Sequence, residues 1–201
     1  MGRRSDHSAP QLMRLTVQAA ASIVDAEGVR AVTVRRIAEL IGYAPGTLYT
    51  HFRNLDEVFI YVNALTLKQL RLRCGSAVAD AGDARAALLA LGNAYLDYAK
   101  QHPRRFELLF SQWLDQEVPH FVQQNVDQLL ALAETQLRLV EPDASDATVQ
   151  NRARALWSGI HGVCSLASPH QAFASRWQSD TSILETLAVG FLETAEQKAA
   201  K

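Results

Sequence analysis

The chain has 201 residues and a mass of 22.2 kDa, is 48% hydrophobic and 20% charged, and holds only 16 Gly plus Pro, which excludes a disordered tail and a fibrous or low-complexity chain. With two cysteines (Cys74 and Cys164), no apolar run of transmembrane length and no apolar segment behind the N-terminus, a disulfide scaffold, a membrane span and a signal peptide are excluded, and a cytoplasmic protein without a cofactor is expected. The formal net charge of −1 divides into +4 over residues 1–73 (10 basic, 6 acidic) and −5 over residues 74–201 (10 basic, 15 acidic), a small basic lobe of the kind that suits nucleic acid.

Helical periodicity runs through the whole chain. The first helix spans about Ala9 to Glu27: Ser8 can cap it, Pro10 is tolerated in the first turn, and Leu12, Leu15, Ala19 and Ile23 form one stripe of a 3.6-residue period. Gly28 ends it, and Val29, Val32 and Val34 read as a short extended apolar link. Thr33 caps a second helix that buries Val34, Ile37 and Ala38 and stops at Gly42. Pro45 fits only a first turn, so a short third helix spans about Pro45 to His51. Asn54 or Asp56 caps a longer helix carrying Val58, Phe59, Val62, Leu65 and Leu70, which Asp80-Ala81-Gly82-Asp83 ends. Arg85–Gln101 follows with Leu88, Leu91, Tyr95 and Tyr98, and His102-Pro103 turns the chain into Arg104–Leu114. Val118–Leu139, Ala147–Leu166 and Thr181–Gln197 bring the number to about nine. The expected fold is all-α, with a three-helix head over residues 1–54 and a larger helical domain over 55–201.

The head carries the informative geometry. Two helices joined by a tight Gly-containing turn, the second short and opened by Pro45, match a helix-turn-helix. Ala38 falls where the two helices approach most closely, Gly42 relieves the turn, and Ile37, Leu48 and Phe52 are spaced to fill the small core beneath. That leaves Thr47, Tyr49, Thr50 and His51 toward the far surface, at the front of a helix whose unpaired N–H groups favour an anion. Arg35 and Arg36 sit in the first turn of the second helix, where a cation is mildly unfavourable unless something negative stands opposite. DNA would be that partner. Being consecutive, the two cannot point the same way, so one meets DNA, Arg36 in preference, while the other pairs with an acidic neighbour. Arg3, Arg4 and His7 form a small basic arm ahead of the first helix.

The segment Thr33-Val-Arg-Arg-Ile-Ala-Glu-Leu-Ile-Gly-Tyr-Ala-Pro-Gly-Thr-Leu-Tyr-Thr-His-Phe52 resembles the DNA-binding signature of the TetR family of transcriptional regulators, closely from about Leu12 to Phe59 and more loosely beyond. Leu156-Trp157-Ser158-Gly159-Ile160-His161-Gly162 is similar to the Trp-x-x-x-His-Gly element of one group of C-terminal domains in that family. The resemblance implies a homodimeric, ligand-released repressor that binds a palindromic operator in double-stranded DNA. It further implies phosphate contacts from Thr33, Arg35 or Arg36, Tyr49 and His51, and a base-reading edge of Pro45, Gly46, Thr47 and Thr50. Two residues depart from the family pattern. Ala44 replaces the usual Ser or Thr cap of the recognition helix, and Leu55 stands where a Lys is common, which would remove about one unit of salt slope.

Beyond the head, aromatic residues gather on helical faces: Phe106, Phe110 and Trp113 at i, i+4, i+7, and Trp157, His161 and Cys164 at i, i+4, i+7. These six are the candidate lining for a small, largely apolar effector, with His161 and Cys164 as polar handles, although aromatic stripes also serve as plain core. Leu156, Ile160, Val163 and Ala167, with Leu184, Leu187, Phe191 and Leu192, give the last two helices apolar surface for a two-fold dimer. Gly159 and Gly162 suit a close helix crossing, either at that dimer or within one protomer. Two rivals stand beside the regulator. His161 and Cys164 have the residue types of a thiol–imidazole pair, but no oxyanion feature or third orienting group accompanies them, and His120, His161 and His170 lack metal-ligand spacing, so no enzyme is expected. The other is a TetR-like small-molecule binding protein whose DNA binding is weak or lost, which Ala44 and Leu55 keep open.

Overall fold

The computed structural model describes residues 7–111, 118–166 and 180–199. Among the described residues every regular element is helical: α1 (Ala9–Glu27), α2 (Val34–Ile41), α3 (Pro45–Leu48), α4 (Leu55–Ala79), α5 (Ala84–Gln101), α6 (Pro103–Ser111), α7 (His120–Val140), α8 (Asp146–Leu166) and α9 (Asp180–Ala199). The fold is all-α, and none of these helices is long and apolar enough to cross a membrane. The described residues form two compact units, one up to Leu67 with Arg104–Val122 added, the other Lys68–Pro103 with the residues from Gln123 onward.

In the first unit the Gln11 side chain accepts the Ser8 N–H at 2.8 Å, which satisfies one of the donors a helix start leaves open, so α1 begins where its cap stands. Gly28 ends it at φ 89°. The link that follows is not extended as expected. Val29–Ala31 is a single 3-10 turn, held by N–H bonds from Ala31 to Gly28 O and from Val32 to Val29 O, both 3.1 Å. A backbone leaving a positive-φ glycine with no strand beside it pairs with itself. Thr33 Oγ1 accepts the Arg36 N–H at 3.1 Å and starts α2, which closes on Gly42 at φ 75°. There the Tyr43 N–H reaches Ala38 O at 2.9 Å, the long bond of a left-handed glycine cap.

Ile37, Ala38, Leu48 and Phe52 are all buried, at 0%, 0%, 2% and 3% exposure, together with Val24 and Ile23 of α1, Val58, Phe59 and Val62 of α4, and Leu108 of α6. Each large side chain so buried contributes about 1.5–3 kcal/mol over its exposed state, so the set together outweighs any single cap in the head. Asn54 Oδ1 accepts the Glu57 N–H at 2.9 Å, so Asn54 rather than Asp56 caps α4.

In the second unit α5, α8 and α9 pack against one another. Asp83 caps α5 through the Ala86 N–H at 2.8 Å, and Leu88, Leu91, Tyr95, Leu96 and Tyr98 are buried along that helix. Val149, Ala153, Leu156, Ile160 and Val163 of α8 and Leu184 and Ala188 of α9 complete the packing, with Leu129, Ala133 and Leu137 of α7 buried as well. Arg152 pairs with the buried Glu141, donates to Phe191 O at 3.3 Å and lies over the Phe191 ring at 5.1 Å.

At φ 75° a Cβ on residue 42 would crowd its own carbonyl. Gly42→Ala is expected to lower stability by about 1–2 kcal/mol, read as a shift of the urea midpoint at unchanged slope.

Candidate functional site

The site is built from the turn outward. Ala44 takes an extended backbone ahead of α3 and supplies no side-chain cap, as its methyl group dictates. Pro45 occupies the first position of α3, where its missing N–H and fixed φ cost nothing. Leu48 points inward and is 2% exposed, which turns Pro45, Gly46, Tyr49 and Thr50 outward, while Thr47 and His51 are half-buried. Tyr49 is 58% exposed, and a Cβ built on Gly46 would meet nothing within 4 Å, so a flat molecule can approach the backbone there closely. Thr33, at the start of α2, is also exposed. The helix is shorter than the expected Pro45 to His51. It ends at Leu48, and the chain continues in tighter bonds from Thr50 N–H to Thr47 O at 3.3 Å and from His51 N–H to Leu48 O at 3.0 Å. The Thr50 hydroxyl donates to the same Thr47 carbonyl at 2.6 Å, capping it and leaving the Thr50 methyl and oxygen lone pairs outward. His7 Nδ1 lies 2.7 Å from the Tyr43 hydroxyl, tying the segment before α1 to the α2–α3 turn, whereas Arg3 and Arg4 lie outside the described residues.

Charge around this edge is largely paired. Arg35 Nε donates to Glu39 Oε1 at 2.9 Å, one turn along α2, with its own side chain 83% exposed. Arg36 holds Glu27 with both arms of its guanidinium, Nη1 to Oε2 at 2.8 Å and Nη2 to Oε1. The sequence leaves one of the two arginines for DNA, Arg36 in preference; in the fold both face a carboxylate. The Arg35 partner was legible as i,i+4 spacing, but Glu27 reaches Arg36 only because the turn at Gly28 folds the end of α1 beside the start of α2. Arg36 in turn holds the Glu27 carboxyl below its ordinary value. Arg53 faces Glu57, whose Oε2 accepts the Arg53 N–H at 2.6 Å. Two further residues escaped the sequence reading. Arg104 donates to the last carbonyls of α1, Asp25 O at 3.0 Å and Ala26 O, and the buried Arg105 donates to Asp25 Oδ1 at 2.8 Å. The signal was the Arg-Arg pair directly after Pro103, where a helix start makes cations costly unless an acceptor stands opposite.

The expected effector residues divide between the units. In the first, Phe106 and Phe110 tilt against each other at 5.3 Å, with Phe106 buried and Phe110 38% exposed. Trp113 lies outside the described residues. In the second, the half-buried Trp157 stacks on His161 at 5.8 Å and Cys164 is 4% exposed. His161 Nδ1 lies 3.4 Å from the hydroxyl of Tyr95, and its Nε2 lies 3.1 Å from Ser165 Oγ. Burial lowers the His161 pKa and raises that of the Tyr95 phenol well above the ordinary range, which favours the neutral form of both. Both ring nitrogens thus have a partner inside the unit. Burial likewise pushes the Cys74 thiol up to about 12, which keeps it an unreactive thiol. Among the described residues no three or more His, Cys, Asp or Glu side chains are grouped so as to hold a metal.

The residues expected at the dimer face are also accounted for within the unit. Leu156, Ile160 and Val163 are buried at 2%, 2% and 5%, and Leu184 at 4%. A Cβ on Gly159 would stand 2.6 Å from Leu187 Cδ1, so that glycine serves the α8–α9 crossing inside one protomer. The crevice among Leu88, Gly92, Leu156, Ile160 and Leu187 encloses about 10 Å³, at most one water. Ala167 and the Leu192 side chain lie outside what is described. The residues of these helices left exposed instead include Asn151, Arg154, Ala155, Ser158 and Leu166 on α8 and Ser182, Glu185, Thr186, Val189 and Gly190 on α9.

Because the folded His161 holds its proton less tightly than the free side chain at 6.5, the unfolded chain binds more protons as pH falls through that value. Stability is therefore lost on acidification from about pH 7.5 to below the folded pKa, and His161→Gln should flatten that loss, measured as urea midpoints across the same pH range.

Residues 88–189, just over half of the chain, match the family model "Tetracyclin repressor-like, C-terminal domain", and residues 17–62 match "Bacterial regulatory proteins, tetR family". A Bacillus subtilis protein described as an uncharacterized HTH-type transcriptional regulator, YobS, is 28% identical over 176 residues, covering 87% of this chain and 86% of that one. Among solved structures, a protein of unknown function from Rhodococcus sp. RHA1 superposes at a TM-score of 0.78 with 18% identity, covering 96% of this chain and 99% of its own. The Bacillus subtilis regulator FadR, solved in complex with stearoyl-CoA, does so at 0.70 with 12% identity, covering 89% and 97%.

Proposed function

Since the chain belongs to the TetR family of bacterial regulatory proteins, we propose that it is a ligand-responsive transcriptional regulator, a repressor that binds a palindromic DNA operator as a homodimer and is released by a small molecule. The observation that carries this is the outward edge of α3: Pro45, Gly46, Tyr49 and Thr50 are exposed on a helix anchored from below by Leu48. Residues 1–54 act as the DNA-binding head and 55–201 as the effector-binding and dimerisation domain. Pro45, Gly46, Thr47 and Thr50 face base edges, the threonine methyls suited to thymine and the oxygens to a base donor. Thr33, Arg35, Tyr49 and His51 take phosphates, which position the head without reading sequence.

One head covers only a few base pairs, so two act together on half-sites about 34–36 Å apart. The dimer face is the exposed one, Arg154, Ala155 and Ser158 of α8 with Ser182, Glu185, Thr186, Val189 and Gly190 of α9, where the small side chains allow two helices to approach and the charged ones stand at the edge. The protein is cytoplasmic and acts by binding rather than catalysis. Its C-terminal domain is of the Trp-x-x-x-His-Gly group, a reading that the stacking of Trp157 on His161 supports. The effector is small and largely apolar, with Trp157 as an aromatic contact. It works by binding better to the form whose heads are wrongly spaced, and by no more than its differential affinity for the two forms.

A second reading, a TetR-like binding protein with weakened DNA affinity, draws on the uncapped start of α3 at Ala44 and on the paired arginines. A salt-titrated measurement separates the two. The regulator binds a palindrome selected from a random duplex pool at least about 10³ more tightly than random duplex, with a salt slope worth several phosphates. Equal affinity for both duplexes decides for the second reading, and native mass spectrometry showing a monomer sinks the homodimer.

Within the regulator reading, Tyr49→Phe combined with Thr47→Ala should leave the thermal transition unchanged and weaken operator binding roughly thirtyfold, two lost hydrogen bonds at about 1 kcal/mol each. An unchanged Kd would place the opposite side of α3 against DNA.

A further inference from the structure

We propose that Glu27 withholds Arg36 from the DNA phosphate backbone, so that the carboxylate at the end of α1 sets how strongly the head holds DNA. The inference rests on the DNA-binding function proposed above. Arg36 is the third residue of α2, in the same first turn as Arg35 and next to the exposed Thr33. Its guanidinium fork is occupied on both arms by the two Glu27 oxygens. A phosphate can take the same Nη1–Nη2 edge in the same bidentate geometry, and that edge cannot hold both acceptors at once, so the side chain stays drawn toward the end of α1 until the contact opens.

The pair is built as a competitor rather than as a structural bridge. Its side chains are 41% and 46% exposed, so water screens the attraction and the contact opens readily. The Arg105–Asp25 pair beside it is the contrast: the Arg105 side chain is 6% exposed and ties α6 to α1. Glu27 is also positioned without help from Arg36. Arg104 binds the Asp25 and Ala26 carbonyls one and two residues before it, and so fixes the end of the helix that carries the carboxylate. Removing Arg36 therefore leaves Glu27 in place, and removing Glu27 leaves Arg36 on a capped helix start with its fork open.

The test is a double-mutant cycle on the full chain, using a random-sequence duplex so that phosphate contacts are read without knowledge of the operator. Kd is measured from 50 to 200 mM salt for the wild type, Glu27→Gln, Arg36→Gln and the double variant, with Glu27→Ala as a second removal of the carboxylate and thermal melts to verify folding. One released phosphate contact steepens the salt slope by about 0.9, so the advantage of Glu27→Gln over the wild type should shrink about threefold across that salt range. The same gain should vanish when Arg36 is absent, and Arg36→Gln alone should cost little. An equal gain in both Arg36 backgrounds would show a plain charge effect and overturn the proposal, as would no gain in either. A wild type with no salt-dependent duplex binding would instead bring down the DNA-binding function itself, whereas additive effects in a protein that does bind DNA remove the role of Glu27 alone.

Discussion

A helix of four residues has almost no hydrogen-bond ladder to hold it, so α3 depends on what it covers. Leu48 is buried with Ile37, Ala38 and Phe52, and that burial outweighs the roughly 0.5–2 kcal/mol missing from the cap at Ala44. The same inward anchor dictates which side chains face out, because Pro45, Gly46, Tyr49 and Thr50 occupy the opposite side of one turn. Leu108 enters this core from α6, more than fifty residues further along the chain. Together with Arg104 and Arg105 it makes α6 part of the compact unit formed by the first helices, although α6 follows α5 in sequence.

Electrostatics follow the same local logic. The net +4 of residues 1–73 is real as a count, but three of the arginines near the outward edge stand against carboxylates: Arg35 with Glu39, Arg36 with Glu27 and Arg53 with Glu57. What matters for an approaching polyanion is less the sum than how easily each pair opens. Exposed pairs are worth little in water and yield to a stronger acceptor, while in the Arg105–Asp25 pair the guanidinium is only 6% exposed and is much less screened. Two kinds of arginine therefore coexist within one small unit, one set reversible and one holding helices together.

In the second unit, one group of polar side chains is paired within itself. Tyr95, His161 and Ser165 form a short chain of hydrogen bonds beside Trp157, and the lowered pKa of the imidazole is the consequence of its burial there. The glycines follow the same division. A Cβ on Gly159 would displace the Leu187 side chain of α9, whereas a Cβ on Gly162 would meet nothing within 4 Å.

Periodicity and punctuation were enough to predict an all-α chain, the limits of α1, the cap at Thr33, the glycine end at Gly42 and the inward set Ile37, Ala38, Leu48 and Phe52, because each depends on residues within about a turn of one another. Contacts between segments lay beyond that reach. No spacing rule places Glu27 beside Arg36 across a glycine turn, or Arg104 on the end of a helix it follows by nearly eighty residues. The same limit explains why Leu156, Ile160 and Leu184 looked like open interface and are core: an apolar stripe states that it will be covered, and only the packing of α5, α8 and α9 decides by what. Local hydrogen bonding and helical period are properties of the chain itself, whereas the choice of partner for a charge or an apolar face is made by the fold.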